Sequence, residues 1–273
     1  MFKKVAFIGA GSMAEAIIAG LAKDESLVKR ENIVVTNKLN EDRLEELHHK
    51  YGITTLVGKA AVVRDADIIV LSMKPKDLAE AVEDIKNFVQ EDQVIVSVIA
   101  GASCERIANL FGKKIPVIRT MPNTSAMIGY SATALSKGEY ATEKQLQDAI
   151  ALFETVGSAF VVKEDEMHAV TSISGSGPAY FYFMVEAMQE AAGKVGLRPE
   201  IAQDLIVQTI VGAGQMLKVT EEDAGVLRKN ITSPGGTTQA ALETLATENF
   251  QEAVIKCVES CYNRSREMGK ENG

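Results

Sequence analysis

The sequence predicts an α/β fold: a mostly parallel sheet in the first 162 residues, followed by an all-α C-terminal half. Three observations carry this. Short runs rich in valine and isoleucine alternate with helix-type stretches up to about residue 162, the pattern of a parallel sheet covered on both faces. Beyond that point the strand signal stops. A glycine loop, Gly9-Ala10-Gly11-Ser12-Met13-Ala14, follows the first apolar run without a gap. The expected domains are residues 1–162 and 163–273.

The strands are read at Lys4–Ile8, Ile33–Thr36, Thr54–Val57, Ile68–Ser72, Val94–Val98 and Val117–Thr120, with Ser131–Leu135 and Ala159–Val162 as additions. Met13–Lys23, Glu41–Lys50 and Lys76–Phe88 are helices between them. In the second half, Pro178 opens a long helix that Gly196 stops, and Pro199 opens another to about Val219. Thr237–Thr247 and Phe250–Met268 follow. The stretch Ala179-Tyr180-Phe181-Tyr182-Phe183-Met184-Val185 is apolar nearly all round. A helix apolar on every side is buried on every side. So few residues enclose little interior, so the second half is expected to interleave with a second copy as a homodimer.

The net charge of −8, with no dense basic run, argues against nucleic acid and against an anionic membrane surface as partners. The apolar runs are strand-length, far short of a membrane span. Lys3 and Lys4 precede an apolar run, but the turn at Gly9 interrupts it too early for a signal segment. The protein is therefore expected in the cytoplasm. Cys104, Cys257 and Cys261 form no CxxC pair and read as small buried hydrophobes rather than a disulfide or metal site.

The first loop fits the pyrophosphate of a dinucleotide. Gly9 permits the tight strand-to-helix turn, Gly11 lets the backbone approach the phosphates, and Ala14 stands where a third glycine is common. The helix starting near Ser12 and Met13 adds free N–H groups and a positive dipole end. The first half is thus read as a Rossmann-type dinucleotide-binding domain. An NAD site usually places a carboxylate about twenty residues past the glycines to hold the ribose hydroxyls. This chain has Thr36-Asn37-Lys38-Leu39-Asn40 there, and no acid before Glu41. Asn37 and Lys38 can donate to a 2′-phosphate, with Arg43 one turn on. NADPH is therefore favoured, with NADH possible. Further cofactor contacts are placed at strand-end loops: Met73-Lys74-Pro75, Ala100-Gly101 and Asn123.

A second loop, Ser233-Pro234-Gly235-Gly236-Thr237-Thr238, precedes a helix. Its unpaired N–H groups suit a small anion. On local sequence alone, helix capping by Thr237 and Thr238 is the favoured reading of this position.

Together these stretches make the chain similar to the pyrroline-5-carboxylate reductase family. The likeness rests on Phe7-Ile8-Gly9-Ala10-Gly11-Ser12-Met13-Ala14, on Met73-Lys74-Pro75 and on Arg119-Thr120-Met121-Pro122-Asn123. It rests most on Ser174-Gly175-Ser176-Gly177-Pro178-Ala179-Tyr180 and on the run from Leu227 to Thr238. The resemblance implies reduction of the cyclic imine 1-pyrroline-5-carboxylate to L-proline with NAD(P)H. It also implies a helical dimerisation domain and frequent assembly into decamers. It places substrate contacts on Glu164, Asn230, Gly236, Thr237 and Thr238, with Thr238 as the catalytic hydrogen-bond donor. The chain departs from the family pattern at Gly58-Lys59, where relatives commonly carry an asparagine, and at Thr237, often alanine.

Two rivals are weighed. A β-hydroxyacid dehydrogenase resembles this plan but has a lysine early on the first helix after the junction, where this chain's first lysine is Lys194. A nucleotide-sensing regulator has no need of the second loop. His168 and Tyr180 are read as structural rather than catalytic.

Overall fold

The computed structural model describes residues 1–271, and the last two residues of the expected second domain lie outside them. The sheet half runs β1 (Val5–Ile8), α1 (Ser12–Lys23), β2 (Ile33–Thr36), α2 (Glu41–Tyr51), β3 (Thr54–Thr55), α3 (Lys59–Val63), β4 (Ile68–Leu71), α4 (Leu78–Ile85), β5 (Val94–Ser97), α5 (Cys104–Phe111), β6 (Val117–Met121), β7 (Ser131–Lys137), α6 (Glu143–Glu154) and β8 (Gly157–Val161). There follow α7 (Met167–Val170), α8 (Gly177–Lys194), α9 (Pro199–Thr220), α10 (Ala224–Asn230), α11 (Thr237–Thr247) and α12 (Phe250–Glu271).

The eight strands form one sheet in the order β3-β2-β1-β4-β5-β6-β7-β8. Every neighbouring pair is parallel except β6 and β7. β1, β2, β4 and β5 are buried along their whole length, which explains their unbroken Val/Ile composition. Alternate residues face opposite layers. Val5 and Phe7 pack with Ile17, Leu21 and Leu47 of α1 and α2, and with Phe153 of α6. Ala6 and Ile8 pack with Val63, Val82, Ile85 and Ile107 of α3, α4 and α5. A one-residue slip of β1 would exchange these two sets, so its register is strongly specified.

The structure adjusts the expected boundaries in two instructive places. β3 stops after Thr55 because the chain turns away at Gly58, whose φ is +110°. The helix expected from Lys76 begins as a 3₁₀ turn, Pro75–Asp77, before α4. It closes with another tight turn, the Phe88 amide donating to the Ile85 carbonyl at 2.9 Å. α6 carries a full capping box between Thr142 and Gln145.

Two compact units emerge. One comprises Met1–Ser176 with the C-terminal part of α12 from Cys261; the other is Gly177–Ser260. In the second unit Ala202 and Ile206 are buried, whereas Phe181, Tyr182, Phe183, Leu205, Val207 and Val211 are exposed in the single chain. These helices turn large side chains outward instead of closing a core of their own. Among the described residues, no helix is long and apolar enough to cross a membrane. Of the cysteines, Cys104 is buried as expected but Cys257 is exposed on α12. Burial pushes the Cys104 thiol up to about 12, so it is an inert packing group.

α1 lies tight against the α6–β8 connection at Gly20. A Cβ there would sit 2.6 Å from Val156 Cγ1 and 2.9 Å from the Thr155 carbonyl oxygen. Gly20→Ala should therefore destabilise the protein by about 1–3 kcal/mol despite alanine's better helix propensity. Urea unfolding followed by circular dichroism checks this, and an equal or higher midpoint would contradict it.

Candidate functional site

The glycine loop sits where β1 hands over to α1. Gly9 has φ +114°, and a Cβ on it would meet the Ser72 carbonyl oxygen at 2.6 Å. Its amide donates to the Thr36 carbonyl at 2.9 Å, and its carbonyl accepts the Ser72 hydroxyl at 3.0 Å. Only glycine fits this turn. Gly11 is different: nothing lies within 4 Å of where its Cβ would be. It forms the N-cap of α1 in extended conformation, with no side chain capping the helix. The first-turn amides beyond Ala10, at Ser12 and Met13, are thus left for a ligand. A dinucleotide pyrophosphate fits this cradle, Gly11 leaving the room and α1 supplying the donors.

The loop is held from behind by Glu15, a carboxylate on α1 that is only 7% exposed. It accepts from the Arg43 guanidinium, from Lys50 Nζ at 2.8 Å and from Tyr51 Oη at 2.9 Å. Arg43 Nε also donates to the Ala10 carbonyl at 3.0 Å. Arg43, read from sequence as a further phosphate donor, is committed instead to tying α2 to the loop. Burial works against the Glu15 charge, but the hydrogen bonds from Lys50, Arg43 and Tyr51 outweigh it and hold the carboxyl at about 2. Nothing in the local sequence marks Glu15, because its partners lie one α/β unit away.

Beside the loop a small open cleft of about 70 Å³ lies at the C-terminal ends of β1, β2 and β4. Gly9, Asn37, Lys38 and Met73 line it together. Lys59, which can stand in for the family's asparagine, also lines it, as do Asp77 and Glu80, which the sequence did not mark as cofactor contacts. Asn37 forms a turn with Asn40, its amide nitrogen donating to the Asn40 carbonyl at 2.6 Å. Lys38 Nζ lies 2.6 Å from Glu80, and Lys59 pairs with Asp84.

Other expected contacts fall on neighbouring strand ends. Lys74 and Pro75 lead into α4. Gly101, with φ +77°, turns the chain after β5, and Ala100 packs against Met121 and Met167. Asn123 is buried and bonded through both its amide nitrogen and its amide oxygen. Its amide nitrogen donates to the Ser174 carbonyl at 3.1 Å and its amide oxygen accepts from the Ser125 backbone at 3.1 Å. Asn123 thus fastens the turn after β6 to the Ser174-Gly175-Ser176 segment, part of a π-helical turn over Thr171–Gly175. The Glu164 carboxylate accepts from the Cys104 amide at 2.7 Å and pairs with buried Arg119 at 3.4 Å through the same oxygen, Oε1. His168 hydrogen-bonds Ser265 at 2.9 Å. Burial and the nearby charges of Arg119 and Arg266 lower its pKa, which suits a structural imidazole.

In the second unit, Asn230 ends α10 and the turn Thr232–Gly236 leads into α11. Gly235 has φ +71°, and its amide donates to Gln239 Oε1 at 2.7 Å. The N-cap of α11 is Gly236, with no side-chain cap. Thr237 and Thr238 therefore lie inside the helix and do not cap it. Neither hydroxyl has a hydrogen-bond partner among the described residues. This removes the capping explanation for these two threonines.

A Rossmann-type sheet with an uncapped glycine cradle and a separate helical unit of outward-facing apolar helices defines a two-domain, dinucleotide-dependent oxidoreductase. Residues 4–101 match the family model "NADP oxidoreductase coenzyme F420-dependent", and residues 164–268 match "Pyrroline-5-carboxylate reductase dimerisation". The chain is 47% identical to pyrroline-5-carboxylate reductase 2 of Bacillus subtilis, over 97% of this chain and 95% of that one. It is 37% identical to pyrroline-5-carboxylate reductase of Mycobacterium tuberculosis, over 97% and 96%. Among solved structures, a pyrroline-5-carboxylate reductase from Coxiella burnetii superposes with a TM-score of 0.91 at 34% identity, covering 97% of this chain and 98% of that one. A Plasmodium falciparum pyrroline carboxylate reductase with NADP bound gives 0.86 at 27% identity, with the same coverage. The chain belongs to the pyrroline-5-carboxylate reductase family.

Because the Glu15 carboxyl is held below its ordinary value in the folded protein, its contribution to stability is full above about pH 4.5. It is lost as pH falls toward about 2. Glu15→Gln should lower stability at pH 7 by about 1–3 kcal/mol, since Arg43 and Lys50 lose their acceptor. The gap between variant and parent should narrow in acid. Chemical denaturation at pH 7 and pH 3.5 checks both expectations.

Proposed function

We propose that this chain reduces 1-pyrroline-5-carboxylate to L-proline with NADPH. The observation that carries the reading is the turn into α11: a glycine N-cap, first-turn amides without a side-chain acceptor, and a free, half-buried Thr238 hydroxyl. The substrate carries a carboxylate next to an imine nitrogen, and this turn offers backbone donors for the one and a hydroxyl for the other. Membership of the family supports the same assignment.

In this reading Gly9, Ala10, Gly11, Ser12 and Met13 hold the pyrophosphate of the cofactor. Asn37 and Lys38 receive the 2′-phosphate, and the loops at Met73-Lys74-Pro75, Ala100-Gly101 and Asn123 frame the remainder. The bound nicotinamide supplies the hydride; the protein supplies position and electrostatic field. Gly236 and Thr237 bind the substrate carboxylate through backbone amides, with Asn230 at the preceding helix end. Thr238 donates a hydrogen bond to the imine nitrogen and steadies it as it gains its proton. A threonine hydroxyl is too weak an acid to be the ultimate proton source at neutral pH, so it acts as donor or relay. Glu164, anchored by the Cys104 amide and Arg119, is the further substrate contact in this reading. The domains that divide this work are residues 1–162 and 163–273, and the working form is a homodimer in the cytoplasm, the decamer being what the family resemblance implies. The dimerisation family match and the outward apolar helices support the self-association.

The direct test mixes pure protein with NADPH and 1-pyrroline-5-carboxylate. Loss of reduced-cofactor absorbance with matching proline formation is expected, and no proline with either NADPH or NADH would overturn the reading. Thr238→Ala should lower kcat by roughly ten- to a thousandfold with a smaller change in KM, because its bond matters most in the transition state. Thr238→Ser should keep much of the rate, and cofactor affinity should hold. Lys38→Glu should weaken NADPH binding and spare NADH, since it sets like charges together. Equal loss with both cofactors would assign Lys38 a folding role instead.

A further inference from the structure

The cofactor cleft has a second wall that the glycine loop and the β2 end do not account for. α4 and the turn before it bring Asp77, Glu80 and Asp84 to the cleft and its rim. Two of these acids already hold the two lysines of the opposite wall: Glu80 lies 2.6 Å from Lys38 Nζ, and Asp84 pairs with Lys59. Lys38 and Glu80 are both about half exposed, so a ligand can reach the pair. The end of β2 lacks the carboxylate that holds an unphosphorylated ribose in NAD sites. Glu80 brings one to Lys38 at that place from a different element.

We propose that Glu80 is the residue that sets the balance between NADPH and NADH in this enzyme. A 2′-phosphate takes the lysines but must lie beside the Glu80 charge, which costs affinity. A 2′-hydroxyl instead donates to Glu80, while Glu80 keeps its pair with Lys38. The same carboxylate thus weakens the phosphorylated cofactor and strengthens the unphosphorylated one, leaving the site open to both. Asp84 acts in the same direction through Lys59, from one helical turn farther along. Glu80 acts on the ribose end only and does not touch the reacting atoms.

The experiment measures binding rather than turnover, because adenosine fragments isolate this end of the site. Dissociation constants for adenosine 2′,5′-bisphosphate and for AMP are determined by calorimetry with the full-length protein and with Glu80→Gln. The reduced-nicotinamide fluorescence of NADPH and NADH gives a second measure. Glu80→Gln should tighten the bisphosphate roughly three- to fivefold and weaken AMP by a similar factor, so that the ratio moves by roughly nine- to twenty-five-fold, as expected for exposed charges. Asp84→Asn should move the ratio the same way by less. A ratio within twofold of the parent in both variants, with unchanged melting temperatures, overturns the proposal. It rests on the dinucleotide site assigned above, and the parent's own binding separates the two: a parent that binds neither fragment overturns both.

Discussion

The approach of Gly9 to Ser72 is the constraint from which the rest of the cofactor half follows. The chain leaves β1 so close to the end of β4 that no side chain fits between them. Two hydrogen bonds fasten the crossing, one from the Gly9 amide to Thr36 and one from the Ser72 hydroxyl to Gly9. This turn tips α1 so that its uncapped N-terminus opens beyond the strand ends, where Gly11 leaves space. The glycines differ in their surroundings: at Gly9 protein comes too close for a side chain, whereas at Gly11 the space beside the backbone is open. Buried strands on both sides make the turn rigid, and burying a side chain such as Phe7 contributes about 1.5–3 kcal/mol toward holding it.

Electrostatics divides the site into fixed and exchangeable charges. Glu15 is buried and surrounded by three donors, so its charge is permanent and serves the loop's shape. Breaking such a buried pair is costly, since the remaining partners keep their charges without compensation. Glu80 and Lys38 are half exposed and face solvent, so their pairing can be traded for a ligand at small cost. The protein's overall negative charge does not prevent anion binding, because local donors decide the field inside each turn.

The helical unit follows different physics. Its exposed aromatic and aliphatic side chains on α8 and α9 would be a liability on an isolated monomer. Residues 164–268 match a dimerisation family model, and self-association through these side chains would take them out of water.

The sequence by itself determined the sheet, because β1, β2, β4 and β5 are buried on both faces and leave no alternative to unbroken apolar runs. It determined the glycine cradle and the α11 turn, since left-handed or crowded backbone restricts the residue type at Gly9 and Gly235. It also placed Asn37, Lys38 and Met73 on one cleft, since strand ends of a parallel sheet meet at one edge. The tertiary structure alone decided which charges pair. Arg43 was legible as a basic residue near the site, but only the packing of α2 on α1 commits it to Glu15 and Ala10. Asn123 was legible at a strand end, but only the fold spends its amide on Ser174. Glu80 lies forty-two residues from Lys38, and no periodicity or motif connects them. Thr237 and Thr238 were ambiguous between cap and ligand until the backbone placed the cap at Gly236. Local patterns encode backbone conformation and burial, whereas side-chain pairing between separate elements depends on distances that exist only once the chain has folded.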